Sequence, residues 1–109
     1  MSAHFPEPGE CGHHTVFDAV KVRTAAGERM QLSLVDMPPG SVIDWHSHPN
    51  EQVGMVVAGR ATFHVGEEVK ELEAGDFYVI PGGVRHKVVT GEEALRALDV
   101  FDPVRDEYR

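Results

Sequence analysis

Glycine and proline interrupt this chain at short intervals, and that punctuation limits it to short extended segments. The run 16–23 is followed by Ala26-Gly27, and the run 30–37 by Pro38-Pro39-Gly40. The runs 53–58 and 61–65 end at Gly59 and Gly66, 77–80 ends at Pro81-Gly82-Gly83, and 95–101 stops short of Pro103. Segments of this length, rich in valine and phenylalanine, read as antiparallel strands of a sandwich or barrel. No window sustains a helical apolar period, so helix is expected only as a terminal turn or two. The expected fold class is all-β. With 109 residues, no internal repeat and no linker, the chain reads as one domain. Residues 1–14, rich in Pro, Gly and His, read as a flexible N-terminal arm, and 15–109 as the barrel domain.

The formal charge of −8, with no Lys/Arg cluster, argues against a nucleic-acid partner, whose phosphates need a basic stripe. A small anionic ligand stays compatible, because a pocket is locally positive in many acidic proteins. No stretch reaches the ~20 apolar residues of a membrane span, so no membrane partner is expected. Cys11 is the single cysteine, which rules out an internal disulfide and fits a reducing compartment. The first residues lack a basic start and an apolar run, so the expected location is cytoplasmic.

Seven histidines are many for this length. His46 and His48 stand two apart. On a strand, side chains at that spacing share a face about 7 Å apart and converge on one ion. Gln52, at an even offset, stays on that face if the strand runs straight, and His86 closes the group from a neighbouring strand. Such a pair by itself is equally a structural feature. His64 alternates with Phe63 and Val65 and is expected to face away from the core, while His4, His13 and His14 are expected in the solvated arm.

The frame around these residues resembles the cupin superfamily. Gly40, His46, His48, Gln52 and Gly59 follow the spacing of the first cupin motif, and Gly75, Pro81, Gly83 and His86 that of the second. Thr90 stands where the second motif ends in Asn. The resemblance implies a single-domain jelly-roll barrel (a double-stranded β-helix) holding one divalent transition metal ion on His46, His48, Gln52 and His86. Nickel, zinc, iron, manganese and copper all suit such ligands. Gln52 replaces the usual glutamate, which leaves the charge of the ion uncompensated and attractive to anionic oxygens. A bulge at Pro49-Asn50 would turn Glu51 inward instead.

The segment 94–101 places Asp99 within an apolar strand, sharing a face with Ala97 and Phe101. Burial of a carboxylate without a partner is costly. Asp99 therefore either pairs with Arg96 or Arg105 at the rim, or faces the pocket, where desolvation raises its pKa into a range useful for acid–base work. The pattern Asp99, Phe101, Arg105 behind a His, His, Gln, His set resembles the pectin-degradation cupins. Those proteins convert 4,5-unsaturated monouronates from pectin or alginate into open-chain keto forms. The resemblance implies catalytic roles for Asp99, Phe101 and Arg105 and a sugar-acid substrate. A metal-dependent dioxygenase and a non-catalytic ligand-binding cupin are the competing readings. Trp45, Val53, Met55 and Val57 are expected on an outward face, covered by the arm or by a second subunit; a homodimer is expected.

Overall fold

The computed structural model describes residues 4–109. Among these residues the chain forms strands β1 (Gly12–Val16), β2 (Val20–Ala26), β3 (Gln31–Met37), β4 (Val42–His46) and β5 (Glu51–Val65). Strands β6 (Glu68–Glu73), β7 (Phe77–Ile80), β8 (His86–Val89) and β9 (Leu95–Asp102) follow. Two single 3-10 turns, Pro8–Glu10 and Asp106–Tyr108, are the helical content of the described residues. All pairings are antiparallel. The sheet is curled, in the order β1-β2-β3-β9-β5-β8-β4, with β6 and β7 also on β5.

Strand β5 is what curls it. Its first half lies between β9 and β7, its second half between β8 and β6. The segments 53–58 and 61–65, expected as two strands, are one strand bent at Gly59, whose φ of 78° is open to glycine without strain. A bulge against β9 between Val56 and Ala58 shifts the side-chain parity. Gln52 and Val56 point inward before it, Ala61 and Phe63 after it. The inward residues of both halves meet in one core that includes Val22, Val35, Met37, Val56, Phe63 and Ile80.

The run 16–23 is two strands rather than one, because Phe17 and Asp18 adopt left-handed φ values of 47° and 70° and reverse the chain. Strand β1 reaches back to Gly12, so His13 and His14, expected in a loose arm, pair with Arg23 and Val22. His14 is half-buried, its ring 5.3 Å from that of Tyr108. His64 lies on the outer side against the edge of Trp45, as its alternation with Phe63 requires.

Candidate metal centre

Two turns bring the histidines together. Strand β4 ends at His46, and the chain reverses through 47–50 before β5 begins. The straight strand expected through His48 is therefore broken, and His48 sits in the turn. The turn 81–85 packs against it: the Gly83 N–H donates to the His48 carbonyl at 2.8 Å. Gly82 lies so close to the Pro49 carbonyl that a Cβ would collide with it. His46 also pairs directly with His86 across β4 and β8.

The three imidazoles converge. Ring centroids are 4.1 Å apart for His46–His86, 5.0 Å for His48–His86 and 5.8 Å for His46–His48. One ring nitrogen from each lies within 4.8 Å of the other two. Every Nδ1 faces a main-chain carbonyl: His46 to Asp44 at 2.9 Å, His48 to Asn50 at 3.0 Å, His86 to Val84 at 2.9 Å. A carbonyl only accepts, so each Nδ1 carries the proton and each Nε2 keeps a lone pair. Such outer hydrogen bonds fix the tautomer that ligates metal. Burial lowers the pKa of His46 and His48, and lowers that of His86 to about 4. Three neutral rings therefore present lone pairs to one point.

Two observations show that a cation fits there. The Nε2 of His86 is buried without a hydrogen-bond partner. The Nε2 of His48 stands 3.1 Å from Gln52 Oε1, two lone-pair atoms facing each other. An ion resolves both conflicts, and ~3 Å is the separation of adjacent ligands about 2.1 Å from a common centre. Gln52, second in β5, is buried with Phe101 and Ile80 as cross-strand neighbours. Glu51 is exposed opposite Asp102.

Asp99 faces the same cavity. It is buried, and its partner is neither Arg96, which pairs with Asp36 at 2.7 Å on the outer face, nor another rim cation. The Tyr78 hydroxyl donates to Asp99 Oδ1, and the Gln52 amide donates to the same carboxylate. Burial pushes the Asp99 pKa up to about 6 against the pull of these donors and of Arg105. Burial and the neighbouring Asp99 raise Tyr78 well above its usual value, so the phenol keeps its proton. Tyr78 and Asp99 flank Gly54 on β7 and β9. A Cβ on Gly54 would strike both of them, so their hydrogen bond depends on the bare backbone between.

Arg105 follows β9 and is fixed twice. Gln31 accepts from its main-chain N–H at 3.1 Å and donates to its carbonyl at 3.3 Å. Its guanidinium pairs with Glu107 at 2.9 Å and lies 4.5 Å from the Tyr108 ring and 5.3 Å from that of Phe101. The cavity has a volume of about 60 Å³, opens to the surface, and is lined among others by His46, Gln52, His86, Asp99, Phe101 and Arg105. Phe17, exposed at the β1–β2 turn, also lines it and packs on His46 with ring centroids 5.9 Å apart.

Sequence reasoning missed Tyr78, Phe17 and Tyr108. Tyr78 had a signal in its strand alternation, which turns it to the Ile80 face. Phe17 and Tyr108 had none, because a turn and a terminal segment place them. Thr90, in place of Asn, holds the 38–41 turn: its hydroxyl donates to the Pro38 carbonyl at 2.7 Å and accepts from the Ser41 N–H at 2.8 Å.

The model of the cupin domain matches residues 33–101, and the chain belongs to the cupin family. An uncharacterised protein of Streptomyces coelicolor is 35% identical over 74 residues, covering 68% of this chain and 70% of that protein. KdgF from Halomonas sp. superposes with a TM-score of 0.84 at 26% identity, over 97% of this chain and 98% of KdgF. An RmlC-like cupin from Shewanella frigidimarina gives 0.87 at 24% identity, over 99% and 97% of the two chains, and supports the fold alone. The molecule is a single cupin domain with a three-histidine site suited to a divalent metal.

Proposed function

We propose that this cupin is a metal-dependent isomerase that opens 4,5-unsaturated monouronates to their keto forms. The observation that carries the reading is the placement of Asp99. It is a buried carboxyl with a pKa near 6, tied by one Gln52 side chain to the histidine cluster in a single cavity. The Asp99–Phe101–Arg105 tail that resembles the pectin-degradation cupins, and the full-length superposition on KdgF, support the same reading.

The ring form of such a substrate is an enol ether conjugated to a carboxylate. A proton leaves the C1 hydroxyl, the bond from C1 to the ring oxygen opens, and C4 takes a proton as C5 becomes a ketone. Atoms and electrons balance without an oxidant. Asp99 exchanges that proton, since a carboxyl titrating near 6 is populated in both forms near neutrality. Tyr78 and Gln52 together hold the Asp99 carboxyl in place. Arg105 attracts the substrate carboxylate, and Phe101 offers its ring to the sugar face. His46, His48, His86 and Gln52 would hold the ion, which when bound supplies Lewis acidity toward anionic oxygens.

The test is loss of ultraviolet absorbance of freshly prepared 4,5-unsaturated galacturonate, measured against its unaided rearrangement. Acceleration that vanishes with chelator, and falls on the order of 100-fold or more in Asp99→Ala, is expected. No acceleration by the metal-loaded protein, or an Asp99→Ala variant within twofold of wild type, overturns it.

A further inference from the structure

One inward-facing row crosses five strands at the level of Asp99. In register, Thr24 on β2 pairs with Ser33 on β3, Ser33 with Asp99 on β9, Asp99 with Gly54 on β5, and Gly54 with Tyr78 on β7. Thr24, Ser33, Asp99 and Tyr78 are all buried. Three of these four polar side chains are satisfied by the protein itself. Thr24 donates to the Tyr108 carbonyl, and Asp99 accepts from Tyr78 and Gln52. Ser33 is the exception. It is 2% exposed, it lines the cavity, and among the described residues its hydroxyl has no hydrogen-bond partner. A hydroxyl left without a partner in a buried wall costs free energy that an alanine of nearly the same size would not. What satisfies Ser33 therefore comes from the cavity.

We propose that Ser33 is a substrate-binding residue whose hydroxyl hydrogen-bonds the C3 hydroxyl of the unsaturated uronate, beside the carbon that Asp99 protonates. The contact rests on the isomerase reading and adds to it the group that selects a hydroxylated ring. Side chains directly opposite on antiparallel strands stand about 5 Å apart at Cβ. A carbon within reach of the Asp99 carboxyl therefore has a neighbouring substituent within reach of Ser33. In the 4,5-unsaturated ring C4 takes the proton and has two ring neighbours. C5 bears the carboxylate, which Arg105 attracts from beyond the end of β9. C3 bears a hydroxyl, and it points to β3, where Ser33 stands opposite Asp99. A serine hydroxyl both donates and accepts, so it pairs with a sugar hydroxyl in either sense. Val35 and Met37, the next inward positions on β3, offer nothing polar. A buried group built to hydrogen-bond a substrate hydroxyl also discriminates against a ring that lacks it, because the serine is then left unpaired.

Steady-state kinetics and thermal melting of the metal-loaded protein test it. Ser33→Ala is expected to lower kcat/KM for 4,5-unsaturated galacturonate about tenfold, and to leave the melting temperature unchanged or raised. On the 3-deoxy analogue, which lacks the C3 hydroxyl, wild type and Ser33→Ala are expected to agree within about twofold. A Ser33→Ala penalty of equal size on both substrates overturns the contact. So does a variant within about twofold of wild type on the parent substrate, because the hydroxyl then faces only water. A variant that loses melting temperature together with activity assigns the hydroxyl a structural role and overturns it as well. In these three outcomes the isomerase reading stands, since wild-type turnover and its loss in Asp99→Ala are measured alongside. A wild type without turnover removes that reading, and the Ser33 contact with it.

Discussion

At the residue scale, the choice of glutamine at position 52 has a chemical reason. Gln52 presents Oε1 to His48 and its amide hydrogens to Asp99, so one side chain serves an acceptor role on one side and a donor role on the other. A glutamate there would set two carboxyl groups against each other and raise the pKa of one of them. The histidines carry a testable consequence for acid stability. His86 titrates near 6.5 in an unfolded chain and near 4 in the folded, metal-free protein. Its stabilising contribution is therefore complete above pH 6.5 and is lost as the pH falls through 4. At 1.36 kcal/mol per pKa unit the loss is on the order of 3 kcal/mol. Asp99 works in the opposite direction: with its pKa raised from 3.8 to about 6, its contribution is complete below 3.8 and is lost as the pH rises through 6. The two partly cancel in the wild-type profile, so the variant difference isolates His86. Between neutrality and pH 4, urea unfolding of metal-free His86→Gln is expected to gain up to about 3 kcal/mol relative to wild type. A difference that stays flat over that range would contradict neutral, buried ligation geometry at His86.

At the scale of the elements, the site depends on strands that approach more closely than side chains usually permit. Gly54 is the clearest case, since Tyr78 and Asp99 meet across it. Gly54→Ala is expected to cost about 1–3 kcal/mol in denaturant unfolding through overpacking, and to separate the Tyr78 hydroxyl from Asp99. An alanine variant as stable as wild type would show that the wall yields easily. Gly82 plays the same part between the turn 81–85 and the turn 47–50 that holds His48. The glycine and proline spacing made these turns visible in the sequence, but it said nothing about which turns touch. The expected straight strand through His46 and His48 failed for that reason. Convergence came from a chain reversal held by a second turn, and no local period encodes such a contact.

At the scale of the whole molecule, metal loading and folding are linked, because the unfolded chain does not assemble His46, His48 and His86. An ion at 100 times its dissociation constant is expected to stabilise the fold by about 2.7 kcal/mol, seen as a rise in melting temperature that chelator reverses. A melting temperature indifferent to divalent metals would remove the metal centre. The sequence by itself determined the all-β class, the single domain, and the histidines and Gln52 as candidate ligands, because strand periodicity, turn residues and motif spacing are local properties of the chain. It also placed Asp99 and Phe101 on one face of the last strand. Tertiary structure decided which partner Asp99 takes, since Tyr78 is twenty-one positions away and reaches it only across Gly54. It also placed Phe17 against His46 and set β7 and β9 on either side of the first half of β5. Those features arise from strand order and register, which are fixed when distant segments bury their apolar faces together and not by any one segment alone.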